Sequence, residues 1–108
     1  MDKMDLLKQA ILSRKPIQFE YNAPDEVIGF RIGNPHVLFI HPTTKNRAVH
    51  VFQTGGVSRS GLTNGLPWRL FIIDFIENIQ VLTNEPSFNV AEGYNPDSPL
   101  YIDAIVKV

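Results

Sequence analysis

Short apolar segments rich in β-branched and aromatic residues recur between Pro16 and Leu82, and turn-forming residues separate them. Residues 17–21 alternate apolar and polar side chains, which predicts a half-buried strand with Ile17, Phe19 and Tyr21 facing inward. Runs this short are typical of strands and too brief for long helices. Four further strands are predicted at residues 27–40, 48–54, 68–73 and 78–82. The Gly-Asn-Pro triplet at residues 33–35 predicts a bulge or bend within the second of the five strands.

One helix is predicted before the strands. Residues 2–14 place Leu7, Ala10 and Ile11 at helical spacing, Asp2 can cap the first turn, and Pro16 prevents continuation. A chain of 108 residues with 44% hydrophobic residues suits one domain with a packed core. We therefore predict a single mainly β (α+β) domain over residues 1–108. It consists of a helix at 2–14, a small five-stranded β-barrel at 16–83 and a C-terminal extension at 84–108.

The charges are unevenly distributed. Residues 1–73 contain nine basic and five acidic residues, a formal charge of +4, whereas residues 74–108 carry −5. No Asp or Glu occurs between Val27 and Ile73, and that stretch contains Arg31, Lys45, Arg47, Arg59 and Arg69 together with His36, His41 and His50. A stretch without acids predicts an anion-binding surface. The alternative is that a β-rich region disfavours acidic residues anyway.

The composition also indicates in which cellular compartment the protein is found. The chain contains no cysteine, which excludes disulfides, a thiol nucleophile and cysteine-based zinc sites. The N-terminal apolar run is too short and too interrupted for a signal peptide, and no run reaches the ~20 apolar residues of a membrane span. We therefore expect a cytoplasmic protein with no membrane partner.

The glycine- and serine-rich loop at residues 55–67 allows two interpretations. A phosphate loop of the Walker type is excluded because no lysine follows the glycines and a strand follows the loop. A nucleophile elbow is excluded because the serines are displaced from the Gly-x-Ser-x-Gly spacing. The loop is therefore either a long hairpin connection or an anion cradle in which glycine amides act together with Ser58, Arg59 and Ser60.

The remaining candidates point to binding. The histidines at 36 and 41 face opposite sides of a strand, which argues against a metal site. Trp68 is either a stacking platform for a base or part of the core. Arg69 shares a strand face with Phe71 and Ile73. Because the sequence shows no nucleophile–base pair and no metal set, we predict no enzymatic activity, no catalytic residue, no metal and no cofactor.

The chain resembles the WYL domain family, and the resemblance runs over nearly the whole length. It rests on segments in the family's order: Leu6-Leu7-x-x-Ala10-Ile11, Pro16-Ile17-x-Phe19-x-Tyr21, the arginine-x-x-x-proline segment Arg31 to Pro35, Phe71 to Ile76, and Gly93-Tyr94-Asn95-Pro96-Asp97. The last segment is similar to the tails of small stand-alone WYL-like proteins of bacteria. The resemblance implies a helix followed by an Sm/SH3-like barrel. It also implies a ligand-sensing or regulatory role, with nucleotides or nucleic acids as ligands.

The chain departs from the family at two places. The Trp-Tyr-Leu signature falls near residues 49–51 and is not kept, and two family arginines are here Ile72 and Phe75. The first functional prediction is a module that binds a nucleotide or single-stranded nucleic acid through Arg31, His50, Gln53, Ser58, Arg59, Ser60, Trp68 and Arg69. The alternative is an interaction module that binds a second copy or a partner protein through an apolar patch around Ile72 and Phe75.

Overall fold

The computed structural model describes residues 2–24, 26–57 and 67–108. Within these residues one helix, six strands and two single-turn 3-10 helices follow one another. They are α1 (Lys3–Ser13), β1 (Ile17–Tyr21), β2 (Phe30–Ile40), β3 (Arg47–Gly56), β4 (Trp68–Ile72), a 3-10 turn (Ile73–Phe75), β5 (Ile76–Val81), a second 3-10 turn (Pro99–Tyr101) and β6 (Ala104–Lys107). The mainly β class with one N-terminal helix is confirmed.

Helix α1 begins and ends where its capping residues predict. The Asp2 carboxylate accepts a hydrogen bond from the Asp5 amide at 2.9 Å, and Arg14 ends the helix in the left-handed conformation. Leu7, Ala10 and Ile11 form the buried stripe of the helix. The helix therefore covers one face of the sheet.

The strands form one antiparallel sheet in the order β4-β3-β2-β1-β5, and β6 pairs separately with β2. Strand β2 has eleven residues and pairs with β1 over its first part and with β6 over its second part. The register of β2 against β3 shifts between Ile32 and Gly33 and again between Pro35 and Val37. These irregularities confirm the predicted interruption at residues 33–35.

The prediction of five strands is corrected to six. The extension at 84–108 contributes β6, because β1 pairs with β2 only from Phe30 to Gly33 and leaves the edge of its second part to another strand. In the described part of the chain no pairing joins β4 to β5, so the sheet is not closed into a barrel by hydrogen bonds there. Within the same residues no helix has the length and apolar character to cross a membrane.

The sheet buries apolar side chains on both faces. On the α1 face, Leu38, Val49 and Phe71 pack in one core cluster with the helix. On the extension face, Val37, Phe39 and Ala48 pack against residues of the C-terminal extension, among them Tyr94 and Tyr101. The extension is therefore part of the domain and completes a second core.

His36 fastens the extension to the sheet. Its ring is fully buried, its Nε2 accepts a hydrogen bond from the Ala91 amide at 3.0 Å, and its Nδ1 lies 2.8 Å from the Asn34 carbonyl oxygen. With Nε2 accepting, the proton of the neutral ring is on Nδ1, which donates to Asn34. Burial lowers the pKa of His36; the bond to Asn34 opposes this shift, and the charge of Arg14 adds to it.

We expect the free energy of unfolding of the wild-type protein to fall on acidification. We expect a smaller fall in the His36→Gln variant. The unfolded chain binds a proton near the ordinary histidine pKa of about 6.5, but the folded state binds it only at lower pH. The free energy of unfolding therefore falls as the pH drops below about 6.5, until the folded pKa is passed. Glutamine can donate to Asn34 and accept from Ala91 without titrating.

Urea denaturation of both proteins at pH 7.5 and at about pH 5 measures this difference. His41→Gln is the matched control, because His41 lies at an exposed turn where its Nδ1 accepts from the amides of Thr43 and Thr44. His50, whose pKa burial also lowers, leaves part of the dependence in the His36 variant. An equal loss in the wild type and in His36→Gln would contradict the assignment.

Candidate functional site

The predicted ligand-binding residues divide between the two faces of the sheet. Arg31 lies opposite Phe19, and Arg69 lies opposite Val51. Gln53 is two residues beyond Val51 on β3 and therefore on the same face. Arg31, Gln53 and Arg69 thus all lie on the α1 face. His50 and Trp68 occupy the alternate positions of β3 and β4 and lie on the extension face. Ser58, Arg59 and Ser60 lie outside the described residues, as does most of the loop that contains them.

Arg31, Gln53 and Arg69 line a small pocket with a volume of about 90 Å³, which we call the arginine pocket. Its other walls are the rings of Tyr21 and Phe71, the carboxylate of Glu26 and part of Leu70. Two cations and one anion thus meet at the mouth of the apolar core. The structure brings together three of the eight predicted residues here.

The Arg31 guanidinium is buried and incompletely hydrogen-bonded. Arg31 is only 2% exposed. Its Nε donates to the Val57 carbonyl oxygen at 3.1 Å, and its Nη2 donates to the Val27 carbonyl oxygen at 3.1 Å. Nη2 also lies 3.8 Å from the Glu26 carboxylate. Among the described residues Nη1 has no hydrogen-bond partner. Buried donors are paired in most proteins, so an unpaired one beside a pocket indicates a missing acceptor.

Two aromatic rings hold this guanidinium in place. Its central carbon lies 5.2 Å from the centroid of the Tyr21 ring and 5.5 Å from that of Phe71. The two rings meet edge to face at 4.8 Å, and the Tyr21 hydroxyl accepts a hydrogen bond from the Ile72 amide at 3.0 Å. The cation therefore lies against fixed electron-rich surfaces.

Arg31 lies between groups of opposite charge. Burial lowers the pKa of Arg31, the nearby Glu26 carboxylate and Tyr21 raise it, and the positive charge of Arg69 lowers it again. The two guanidinium groups thus repel each other, and the Glu26 side chain is 32% exposed and only partly desolvated. An oxyanion between the two arginines would relieve this repulsion and could accept from Nη1.

Gln53 positions the site. It is 3% exposed, and its amide nitrogen donates to the carbonyl oxygens of Gly55 at 3.0 Å and Val57 at 2.8 Å. The Val57 oxygen also accepts from Arg31. Both amide hydrogens of Gln53 are therefore committed to the backbone, where they hold the acceptor that orients Arg31.

The extension face carries a second pocket, of about 200 Å³, which we call the aromatic pocket. Its walls are the rings of His50, Trp68, Tyr94 and Tyr101, and its rim includes Gly93. His50 Nδ1 lies 2.7 Å from the Tyr101 hydroxyl, and burial, together with the charge of His41, lowers the pKa of His50. At neutral pH His50 is therefore uncharged and contributes no cation to anion binding.

Sequence reasoning did not find Tyr94 and Tyr101 as site residues. They belong to the extension and reach His50 and Trp68 only because β6 pairs with β2. The available signal was local: two of the chain's three tyrosines, Tyr94 and Tyr101, stand seven residues apart in the tail. Two half-buried tyrosines in a segment with no predicted helix or strand are compatible with many packings, so the pattern does not predict the pocket.

Two other sequence predictions concern different residues. Ile72 and Phe75 are half-buried, and the Phe75 ring packs edge to face on Tyr21 at 6.2 Å. Within the described residues, no group of three or more histidine, aspartate or glutamate side chains is placed to hold a metal ion.

Comparison with known proteins adds no assignment. No protein-family model matches the chain, and neither the curated proteins nor the solved structures include one that is significantly similar to it. The site described above therefore carries the functional argument.

Proposed function

We propose that this protein is a non-enzymatic ligand-sensing module that binds a phosphate group in the arginine pocket. The phosphate would belong to a nucleotide or to single-stranded nucleic acid. One observation carries the proposal: the buried guanidinium of Arg31 has an unpaired Nη1 among the described residues and lies beside Arg69. A guanidinium offers planar, directed donors that match phosphate oxygens.

The volume of the pocket limits what enters it. Drug-sized ligands occupy sites of about 300–1,000 Å³, whereas the arginine pocket measures about 90 Å³. A single oxyanion group suits this space, and a nucleoside does not. The sugar and base would therefore lie outside the pocket.

The resemblance to WYL domains supports the proposal, because that family's proposed ligands are nucleotides and nucleic acids. The strand order also supports an Sm/SH3-like barrel: one 3-10 turn, Ile73–Phe75, links the two end strands β4 and β5. Such a link brings the two ends of the sheet close in the chain, as barrel closure requires. The interaction patch around Ile72 and Phe75 is the weaker candidate, because both side chains are half-buried.

An NMR titration that monitors the arginine Nε–H groups tests the proposal. With inorganic phosphate, we expect saturable shifts at Arg31 and Arg69, and a smaller shift at the Val57 amide. Affinity should fall several-fold between about 20 mM and about 150 mM NaCl, because the contact is largely electrostatic. Adenosine monophosphate should shift the same arginine resonances, because its phosphate would bind in the same pocket.

Arg69→Gln should weaken phosphate binding about tenfold, since it removes one charge-assisted contact worth roughly 1.5 kcal/mol. Arg47→Gln is the matched control, because Arg47 is 49% exposed and pairs with Asp74 at 3.5 Å, away from the pocket. Shifts spread over all arginines, or equal losses in the two variants, would reject the proposal.

A further inference from the structure

The four rings of the aromatic pocket form a closed circuit. Neighbouring centroids lie 6.5 Å apart for His50 and Trp68, 6.2 Å for Trp68 and Tyr94, 6.3 Å for Tyr94 and Tyr101, and 5.5 Å for Tyr101 and His50. All four rings line the same cavity of about 200 Å³. The circuit is assembled from β3, β4 and the extension, so folding of the whole chain is needed to form it.

Two buried rings support the circuit from below. The His36 ring lies 4.8 Å from Trp68 and 5.3 Å from Tyr94, and the Phe39 ring lies 5.1 Å from His50 and 5.2 Å from Tyr101. Both supporting residues are fully buried. The walls of the pocket are therefore fixed by packing, and the pocket is preformed.

The surroundings of the pocket favour a positive charge. Among the described residues no lysine or arginine lines it, and the faces of aromatic rings carry negative potential. Burial raises the pKa of the Tyr94 hydroxyl, and the nearby Asp97 carboxylate raises it further. Glu92 lines the adjoining groove beside Trp68. Lys107, the one basic residue of the extension, donates to the Pro96 carbonyl oxygen at 2.9 Å in a neighbouring groove.

The dimensions favour a compact group over a flat one. A base inserted between two rings needs a separation of about 7 Å, which is two carbon–carbon contacts of ~3.5 Å. Trp68 and Tyr94 are only 6.2 Å apart at an angle of 28°, which is too close for insertion. A circuit with sides of about 6 Å has its centre roughly 4 Å from each centroid. A trimethylammonium group seated over the mouth of the circuit, and not at its centre, therefore lies within the ~6 Å range of cation–π attraction.

We propose that the aromatic pocket binds a small organic cation that carries a trimethylammonium group. This site is separate from the arginine pocket, because it lies on the opposite face of the sheet and takes a ligand of opposite charge. The two proposals therefore stand or fall independently.

Trp68 is the only tryptophan of the chain, so intrinsic fluorescence reports directly on the pocket. We would titrate the wild-type protein with tetramethylammonium chloride, with sodium chloride at equal ionic strength and with neopentyl alcohol, a neutral molecule of nearly the same shape. We expect a saturable change with tetramethylammonium and none with sodium chloride. The alcohol should bind at least about tenfold more weakly. Equal responses to the alcohol and the cation would overturn the proposal.

Two natural compounds that carry a trimethylammonium group show which kind of ligand the pocket prefers. Choline adds a hydroxyl and keeps the net positive charge, whereas glycine betaine adds a carboxylate. Because Glu92 and Asp97 are close, we expect choline to bind at least as well as tetramethylammonium and betaine to bind several-fold more weakly. Binding of none of the three would overturn the proposal.

Substitutions in the pocket walls distinguish an effect on ligand binding from an effect on the fold. Tyr94→Leu should weaken tetramethylammonium binding about tenfold, and Tyr94→Phe, which keeps the ring face, should change it less than about threefold. Phe88→Leu is the matched control, because Phe88 packs on His36 at 5.0 Å but does not line the pocket. Equal losses in Tyr94→Leu and Phe88→Leu would overturn the proposal. If Tyr94→Leu does not fold, the comparison of cation and alcohol on the wild type still decides.

Discussion

Replacing Arg31 with methionine is expected to abolish phosphate binding while changing the free energy of unfolding by less than about 1 kcal/mol. A buried charge carries a desolvation cost that an apolar side chain of similar length does not. Removing one partner of an ion pair is costly when the other charge is left buried, but the partner here, Glu26, has a side chain that is 32% exposed. Methionine fills the space of the aliphatic stem. The substitution also removes from the interior the Nη1 donor, which has no partner in the described part of the chain.

The acceptors that Arg31 leaves behind keep other partners. The Val57 carbonyl oxygen still accepts from Gln53 at 2.8 Å. Val27 is exposed, so water can replace Arg31 at its carbonyl oxygen. Glu26, with a side chain that is 32% exposed, can be hydrated in the same way.

Urea denaturation followed by Trp68 fluorescence measures stability, and the NMR titration with phosphate measures binding. The expected pattern is a loss of at least about a hundredfold in affinity, because two charge-assisted hydrogen bonds are worth roughly 3 kcal/mol together. A loss of stability above about 3 kcal/mol would instead make Arg31 a structural residue whose ion pair holds the fold.

Gly56→Ala is expected to destabilise the protein by at least about 3 kcal/mol. Gly56 has φ +82°, a conformation in which a residue with a Cβ is strained by about 1–3 kcal/mol. The added Cβ would also overlap the Phe30 carbonyl oxygen and lie 2.6 Å from the Cα of Arg31. Because these are backbone atoms of the paired strand β2, no side chain can move aside to make room.

The neighbouring glycine provides the matched control. A Cβ at Gly55 would lie 3.6 Å from the Cβ of Ile32, an ordinary contact, and no positive φ is involved. We expect Gly55→Ala to change stability by less than about 1 kcal/mol in the same urea measurement. Gly56→Ala should also weaken phosphate binding, since Val57 follows directly and its carbonyl oxygen orients Arg31. Equal effects of the two variants would contradict the argument.

The local elements could be predicted because their signals are local. The alternation at residues 17–21 predicts the buried face of β1, and Ile17, Phe19 and Tyr21 are at most 6% exposed. The caps and apolar spacing of residues 2–14 predict α1. Strand β6 could not be predicted, since its pairing depends on the edge of β2, far away in sequence. Its few residues carry no turn or period of their own that identifies them.

The candidate site was predicted in part for the same reason. Arg31, Gln53 and Arg69 are distinguished by their residue types within apolar strands, and alternation alone separates Trp68 from Arg69. The unpaired donor on Arg31 and the two tyrosines of the aromatic pocket are properties of tertiary packing. The sequence could therefore indicate the charged residues on the α1 face, but it could not indicate the aromatic pocket on the extension face.

The pairing of β6 with β2 also has a consequence for the order in which the molecule folds. Strands β1 to β4 are joined as successive hairpins, whereas Val37 must find Lys107 across most of the chain. Closing so long a loop has a larger entropic cost, so distant pairings form late. Until β6 arrives, the second part of β2 presents unpaired amides and carbonyls beside apolar side chains. Such an edge can pair with another chain. Once it is paired, β6 covers this edge of β2.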